Sequence, residues 1–218
     1  MEVIFEHVTK RIGNSTVIDD VSLVIPSGKI TGLKGVNGSG KTMMMRLMAG
    51  FIYPTSGTVS VDGKVLGKEL SFPPGLGVML ENPAFLNDYS GYDNLRLLAD
   101  IRAAADEQRI REVMELVGLQ ENGHKKYRKF SLGMKQRLGI AAACMECPDL
   151  LLLDEPTNSL DADGVEMVKR IVRMEKERGA AVVISCHVAQ VLDELEYEVF
   201  SLQSGKITGS YIPGRAEL

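Results

Sequence analysis

Apolar and polar residues alternate from Glu2 to Ile25, first at Val3 and Phe5 and then at Val21, Leu23 and Ile25. A period of two predicts antiparallel strands half buried on a core, with their turn at Asn14 to Thr16. Lys29 to Leu33 is short and largely apolar and predicts another strand; Met43 to Ala49 predicts a helix closed by Gly50, with Met43, Met44, Met45 and Met48 as core filler. Pro54 to Gly57 reads as a turn, Thr58 to Val61 as a strand, Asp62-Gly63 as a turn and Gly77 to Leu80 as a strand. From Asn82 to about Cys147 the period becomes helical. Ser90 and Asp93 fit a capping box, Leu95, Leu98 and Ile101 follow at helical spacing, and Ile110, Val113, Met114 and Val117 form a second apolar face ended by Gly118. Leu150 to Leu153 then predicts a strand buried on both faces, as in the middle of a parallel sheet. Ala180 to Ser185 predicts a further strand.

These elements predict an α/β fold in a single domain. Its core, with a mostly parallel sheet and an antiparallel β lobe, takes residues 1–81 and 148–218, and a helical insert takes 82–147. At 218 residues, 44% hydrophobic and 25% charged, the chain has the length and composition for one globular core. The net charge of −4 gives no global reason to expect nucleic acid. No stretch approaches the roughly 18 apolar residues of a membrane span, and Glu2 and Glu6 do not fit a signal peptide. The expectation is a cytoplasmic chain that serves a membrane only through another polypeptide.

The chemistry is concentrated in two stretches. Gly35-Val36-Asn37-Gly38-Ser39-Gly40-Lys41-Thr42 fits G-x-x-x-x-G-K-[ST] at every fixed position. Glycines there let successive backbone N–H groups turn inward into a nest for phosphate oxygens, and a helix N-terminus adds its positive end. Lys41 can reach the β and γ phosphates, and the Thr42 hydroxyl can ligate Mg²⁺. The alternative is a glycine-rich turn before a helix; the strand before and the helix after favour a P-loop NTPase core. In the second stretch, Asp154 emerges at the carboxyl end of the leucine strand, where it can hold Mg²⁺, and Glu155 is placed to deprotonate the attacking water. An isolated acidic pair there would be no more than a solvated strand end. Ser131 alone would be a helix N-cap, and His187 alone a hydrogen-bond partner. Cys144, Cys147, Cys186 and His187 could in principle hold zinc, but Cys144 lies in an Ala-rich apolar run that favours a buried thiol.

Taken together, these residues resemble the nucleotide-binding subunit of an ATP-binding-cassette (ABC) transporter over nearly the whole chain. Ser131 to Arg137 (SLGMKQR) occupies the place of that family's signature, Pro156 to Asp161 (PTNSLD) resembles its D-loop, and His187 sits where its switch histidine belongs. The resemblance implies ATP and Mg²⁺, and a head-to-tail homodimer or paired ATPase subunit in which Ser131 and Gly133 cover ATP bound on the other subunit. It also implies His187 at the γ-phosphate and an integral membrane permease docked on the helical insert and on Glu81 to Tyr92. The subunit would then lie on the inner face of the membrane. Leu132 and Met134 depart from the usual signature in a way similar to bacitracin- and lantibiotic-type exporters. Glu81 replaces a glutamine and can still face the metal, though it cannot donate as an amide does. Ile12 stands where an aromatic residue often stacks on adenine, and predicts weak base discrimination. The implied activity is ATP hydrolysis driving export; the rivals are a non-transport ATPase and a regulatory module that closes on ATP without turnover.

Overall fold

The computed structural model describes residues 1–81, 83–102, 104–185 and 198–213. Alternation at the start of the chain produces β1 (Val3–Ile12) and β2 (Ser15–Ile25), paired antiparallel with Val3 opposite Ile25 and Ile12 opposite Ser15. With β4 (Ser56–Val61) and the short β5 (Lys64–Val65) they form an antiparallel sheet in the order β2-β1-β4-β5. The second sheet contains β3 (Ile30–Lys34), β6 (Leu76–Met79), β7 (Leu150–Asp154), β8 (Ala181–Ser185), β9 (Glu198–Gln203) and β10 (Lys206–Tyr211). Its order is β10-β9-β3-β8-β7-β6, parallel from β9 through β6 with β10 antiparallel at the edge.

The helices are α1 (Lys41–Met48), α2 (Gly91–Arg102), α3 (Glu107–Leu116), α4 (Leu132–Cys144) and α5 (Ala162–Glu177), with a 3₁₀ turn at Tyr127–Lys129. α2, α3 and α4 all fall between β6 and β7 in the chain. β7 shows why its leucine run was a sheet-centre signal. Leu150 and Leu152 pack with Met44, Met45, Met48, Phe5 and Ile25 on one face, while Leu151 and Leu153 pack with Leu138, Val168 and Ile171 on the other. The parallel sheet therefore separates two buried clusters, and the carboxyl ends of its strands are where open α/β sheets place ligands.

One expected face is different. Leu95 is buried, but Leu98 turns outward and Ile101 is 77% exposed; the inner side of α2 is Asn94, Leu95 and Ala99. Steps of three residues rotate by about 300° on a helix of 3.6 residues per turn, so the series drifts off the core after one step. The capping box does form: Asp93 N bonds Ser90 Oγ at 3.0 Å and Ser90 N bonds Asp93 Oδ2 at 3.2 Å. Ser90 holds the Asp93 carboxyl below its ordinary value.

Candidate functional site

β3, in the interior of the sheet, delivers the chain into the glycine loop at its carboxyl end, and α1 starts as the loop ends. Any Cβ on Gly35 would lie 2.4 Å from Ser39 Oγ and 2.5 Å from Leu202 O, so no larger residue fits. Gly40, the N-cap of α1, has φ of 114° and contributes no side chain to the helix's first N–H groups. The loop is fastened by Ser39 N to Val36 O at 3.1 Å and by Gly205 N to Ser39 O at 2.9 Å. Gly205 lies in the β9–β10 turn, whose carbonyl in turn accepts from Asp19 N of β2 at 2.9 Å. Val36, Asn37 and Gly38 stay exposed at the tip. Ser39 Oγ is buried without a hydrogen-bond partner among the described residues. Lys41 crosses the loop's mouth, donating to Gly35 O at 2.8 Å and Val36 O at 3.3 Å, with its ammonium 3.8 Å from Glu155 Oε1.

The two sequence stretches meet. Thr42 Oγ1 donates to Asp154 Oδ2 at 2.5 Å, although the residues lie on α1 and β7. Asp154 is buried at the end of β7 and its other carboxylate oxygen accepts from the Ser185 hydroxyl of β8. Glu155 follows with φ of 49°, its N–H bonded to Ser185 Oγ at 2.9 Å and its carbonyl to Gln136 Nε2 at 3.1 Å. Asn158 Nδ2 donates to Glu155 Oε2 at 2.7 Å. Thr42, Glu81, Gln136, Asp154, Glu155 and Asn158 line a cavity of about 250 Å³. Glu81, Glu155 and Ser159, none of them glycine, take φ of 58°, 49° and 63°, so left-handed backbone gathers at this site.

Other expected residues are placed differently. Glu81 lines the cavity, but its carboxylate is paired with Arg46 Nη2 at 2.6 Å. Ser131 is the N-cap of α4, accepting from Met134 N at 3.2 Å, and Leu132 beside it is 70% exposed. Gly133 packs so closely that a Cβ would lie 2.9 Å from Ser159 O. Neither Ser131 nor Gly133 lines the cavity; Gln136, one turn further along α4, does. Ile12 is exposed at the β1–β2 hairpin. His187 and Cys186 lie outside the described residues. Cys144 is fully buried, and burial pushes its thiol up.

Arg46, Gln136, Asn158 and Ser185 carry contacts that the sequence reading did not assign. Arg46 follows Thr42 by four residues and so shares its face of α1, a signal visible in the sequence. Ser185 had none, because only the pairing of β7 with β8 sets it opposite Asp154.

A family model described as ABC transporter matches residues 18–158. The chain belongs to the ABC transporter family. Over 181 residues it is 45% identical to the uncharacterized ABC transporter ATP-binding protein YybJ of Bacillus subtilis (strain 168), covering 83% of each chain. It is 37% identical to the bacitracin transport ATP-binding protein BcrA of Enterococcus faecalis, over 93% of this chain and 66% of that one. It is 33% identical to the lantibiotic transport ATP-binding protein SrtF of Streptococcus pyogenes, over 93% and 87%. The fold matches the solved dimer of the ATP-binding cassette MJ0796 in a post-hydrolysis state with ADP and Pi at a TM-score of 0.87, with 24% identity over 98% of this chain and 99% of that one. As an ABC protein the chain is an ATP-binding subunit of the transporter class and an ATPase, with the α/β core its sequence pattern predicted. Among the described residues no helix is long and apolar enough to cross a membrane.

Proposed function

We propose that this ABC subunit binds ATP with Mg²⁺ on Gly35 to Thr42 and hydrolyses it to drive a separately encoded membrane permease. The observation that carries this is the meeting of Thr42 with Asp154, with Glu155 beside Lys41. The glycine loop is shaped for phosphate: its N–H groups precede an uncapped helix, and beside them Ser39 Oγ is buried with no partner among the described residues. The donor set also fits magnesium, since a hydroxyl and a carboxylate at one edge of a cavity complement phosphate oxygens. Thr42 and Asp154 would hold the ion, which when bound neutralises charge on the β and γ phosphates. Lys41 binds the same phosphates by exchanging its loop carbonyls for them. Glu155, oriented by Asn158, takes the proton of the attacking water.

In this reading the core is 1–81 and 148–218 and the insert is 82–147. Two copies, or this chain and a paired ATPase, face head to tail so that Ser131 and Gly133 of one cover the γ-phosphate held by the other. His187 also reaches that phosphate, and Ile12 covers the base by apolar contact. The permease docks on the insert and on Glu81 to Tyr92, holding the subunit on the inner membrane face. The exposed Leu97, Leu98 and Ile101 of α2 support an insert that is covered in the assembly. Export of a drug, peptide or similar compound is supported by the relatives named for bacitracin and lantibiotic transport.

Steady-state hydrolysis measured against protein concentration tests this. Activity per molecule is expected to rise with concentration and to fall by about 10²-fold or more in Glu155→Gln, while ATP binding persists. Binding without turnover in the wild type, even with membranes added, would instead favour the regulatory module. Affinity capture from solubilised membranes is expected to recover a polytopic protein; recovery of ribosomes or DNA would overturn the transport role.

A further inference from the structure

We propose that Ser185 is a positioning residue for hydrolysis, one hydroxyl that anchors both the metal-side carboxylate and the backbone of the general base. The proposal rests on the nucleotide site described above and assigns it a residue outside the sequence motifs. Ser185 ends β8 directly opposite Asp154 and is fully buried. Its hydroxyl donates to Asp154 Oδ1 and accepts from Glu155 N at 2.9 Å. A serine hydroxyl has a single proton, so with that proton on Asp154 only its lone pairs remain for Glu155. The result is a directed chain from the Glu155 amide through Ser185 to Asp154, each bond polarising the next.

Asp154 has one oxygen on Thr42 and the other on Ser185. The Thr42 side faces the cavity, and the Ser185 side faces the sheet interior. A cation held by Thr42 and Asp154 would compete with the Thr42 hydroxyl for the carboxylate, and the Ser185 bond to Oδ1 would keep the carboxylate in place. Glu155, meanwhile, leaves the strand with φ of 49°, a conformation that needs a fixed amide to persist. Ser185 fixes that amide while Gln136 and Asn158 hold the carbonyl and carboxylate of Glu155, so β8 shares with the loop in setting the spacing between the two acidic side chains.

The test compares Ser185→Ala, Ser185→Cys and Ser185→Thr with the wild type, using Mn²⁺ as the probe and ADP as the nucleotide. Mn²⁺ binding in the presence of ADP, read by electron paramagnetic resonance, is expected to weaken about 10-fold or more in Ser185→Ala, as for other groups that orient a metal ligand. Metal-free ADP affinity and the circular dichroism spectrum are expected to stay as in the wild type. Hydrolysis by Ser185→Ala is expected to lose about 10-fold in kcat with KM for ATP within about twofold, the pattern of a lost transition-state interaction. Ser185→Thr keeps the hydroxyl and is expected to recover Mn²⁺ affinity; Ser185→Cys, a weak donor of similar shape, is expected to fall between. Wild-type Mn²⁺ affinity in Ser185→Ala, or equal loss in Ser185→Thr and Ser185→Ala, would overturn the proposal while leaving the nucleotide site standing. Absence of ADP-dependent Mn²⁺ uptake by the wild type would overturn both.

Discussion

Helices α1 and α5 begin in opposite ways. α5 is capped by Asp161, whose carboxylate accepts from Gly164 N at 2.9 Å, and it carries Asp163 in its first turn. α3 does the same with Asp106, which accepts from Arg109 N at 2.8 Å, and with Glu107. α1 has glycine at the N-cap, no side-chain acceptor and no acidic residue in its first turn. α4 stands between them, with the neutral Ser131 as cap and likewise no acidic residue. The positive end of a helix is neutralised by its own carboxylates in α3 and α5, and left for an outside anion in α1. Where the chain supplies the negative charge the helix end is structural. Where it withholds the charge, the end is available to phosphate.

The contrast can be broken most severely at Gly40. Gly40→Asp gives α1 the kind of cap α5 has and forces a side chain into φ of 114°. ATP affinity is expected to fall by roughly 100-fold or more, read by titration with a fluorescent analogue and with a thermal melt as the fold control. A smaller but more telling change is Leu132→Glu, which adds an acid to the exposed first turn of α4. Stability is expected to hold or rise by about 0.3–1 kcal/mol, while ATPase activity falls about 10-fold through repulsion of the γ-phosphate. Equal activity in Leu132→Glu and Leu132→Gln would mean that α4 does not face phosphate. Asp106→Ala reverses the test on a structural end: stability is expected to drop by about 1 kcal/mol in urea melts, with ATP binding unaltered.

Acid gives the mildest contrast. Hydrogen bonding to Gly164 N and Ser90 holds the Asp161 and Asp93 carboxyls below their ordinary value of 3.8. A lowered folded value means that the stability these caps add is complete above 3.8 and is lost as pH falls through the lowered values. Loosening of α2 and α5 is therefore expected only below about pH 4, visible as amide exchange at those N-termini, with α1 showing no matching step.

The parts of this site that sequence could reveal are those whose chemistry lies along one stretch. Gly35 to Thr42 shows its motif in spacing, with the flanking strand and helix setting it apart from a plain turn, and Leu150 to Asp154 shows its buried strand because every side chain is apolar until the carboxylate. β9, β10 and α5 went unread. In β10 the pairing slips between Ile207 and Gly209, which breaks the period-two signal, while α5 has a clear buried stripe at Val168, Ile171 and Val172 that continued periodicity counting would have found. Ser185 was out of reach for another reason, as was the choice of Glu81 as partner for Arg46, although the place of Arg46 on the Thr42 face of α1 could be read. Each joins segments distant in the chain, and the register that sets Ser185 opposite Asp154 is a property of the folded sheet. Ile101 erred in the opposite sense, an apolar residue that the helix turns away from the core.

The fastening of the glycine loop also sets an order of events during synthesis. Ser39 O is held by Gly205 N, and Gly35 lies against Leu202 O, both in the β9–β10 hairpin. A ribosome makes the loop early, together with the Val17 and Ile18 of β2 that lie against Gly40, yet the contacts at Ser39 O and Gly35 wait until that hairpin has emerged. The loop's full set of backbone contacts is thus complete only after the last strands of the sheet are made. A nascent chain broken off before Gly205 would carry the motif in full and lack the clasp that gives it shape.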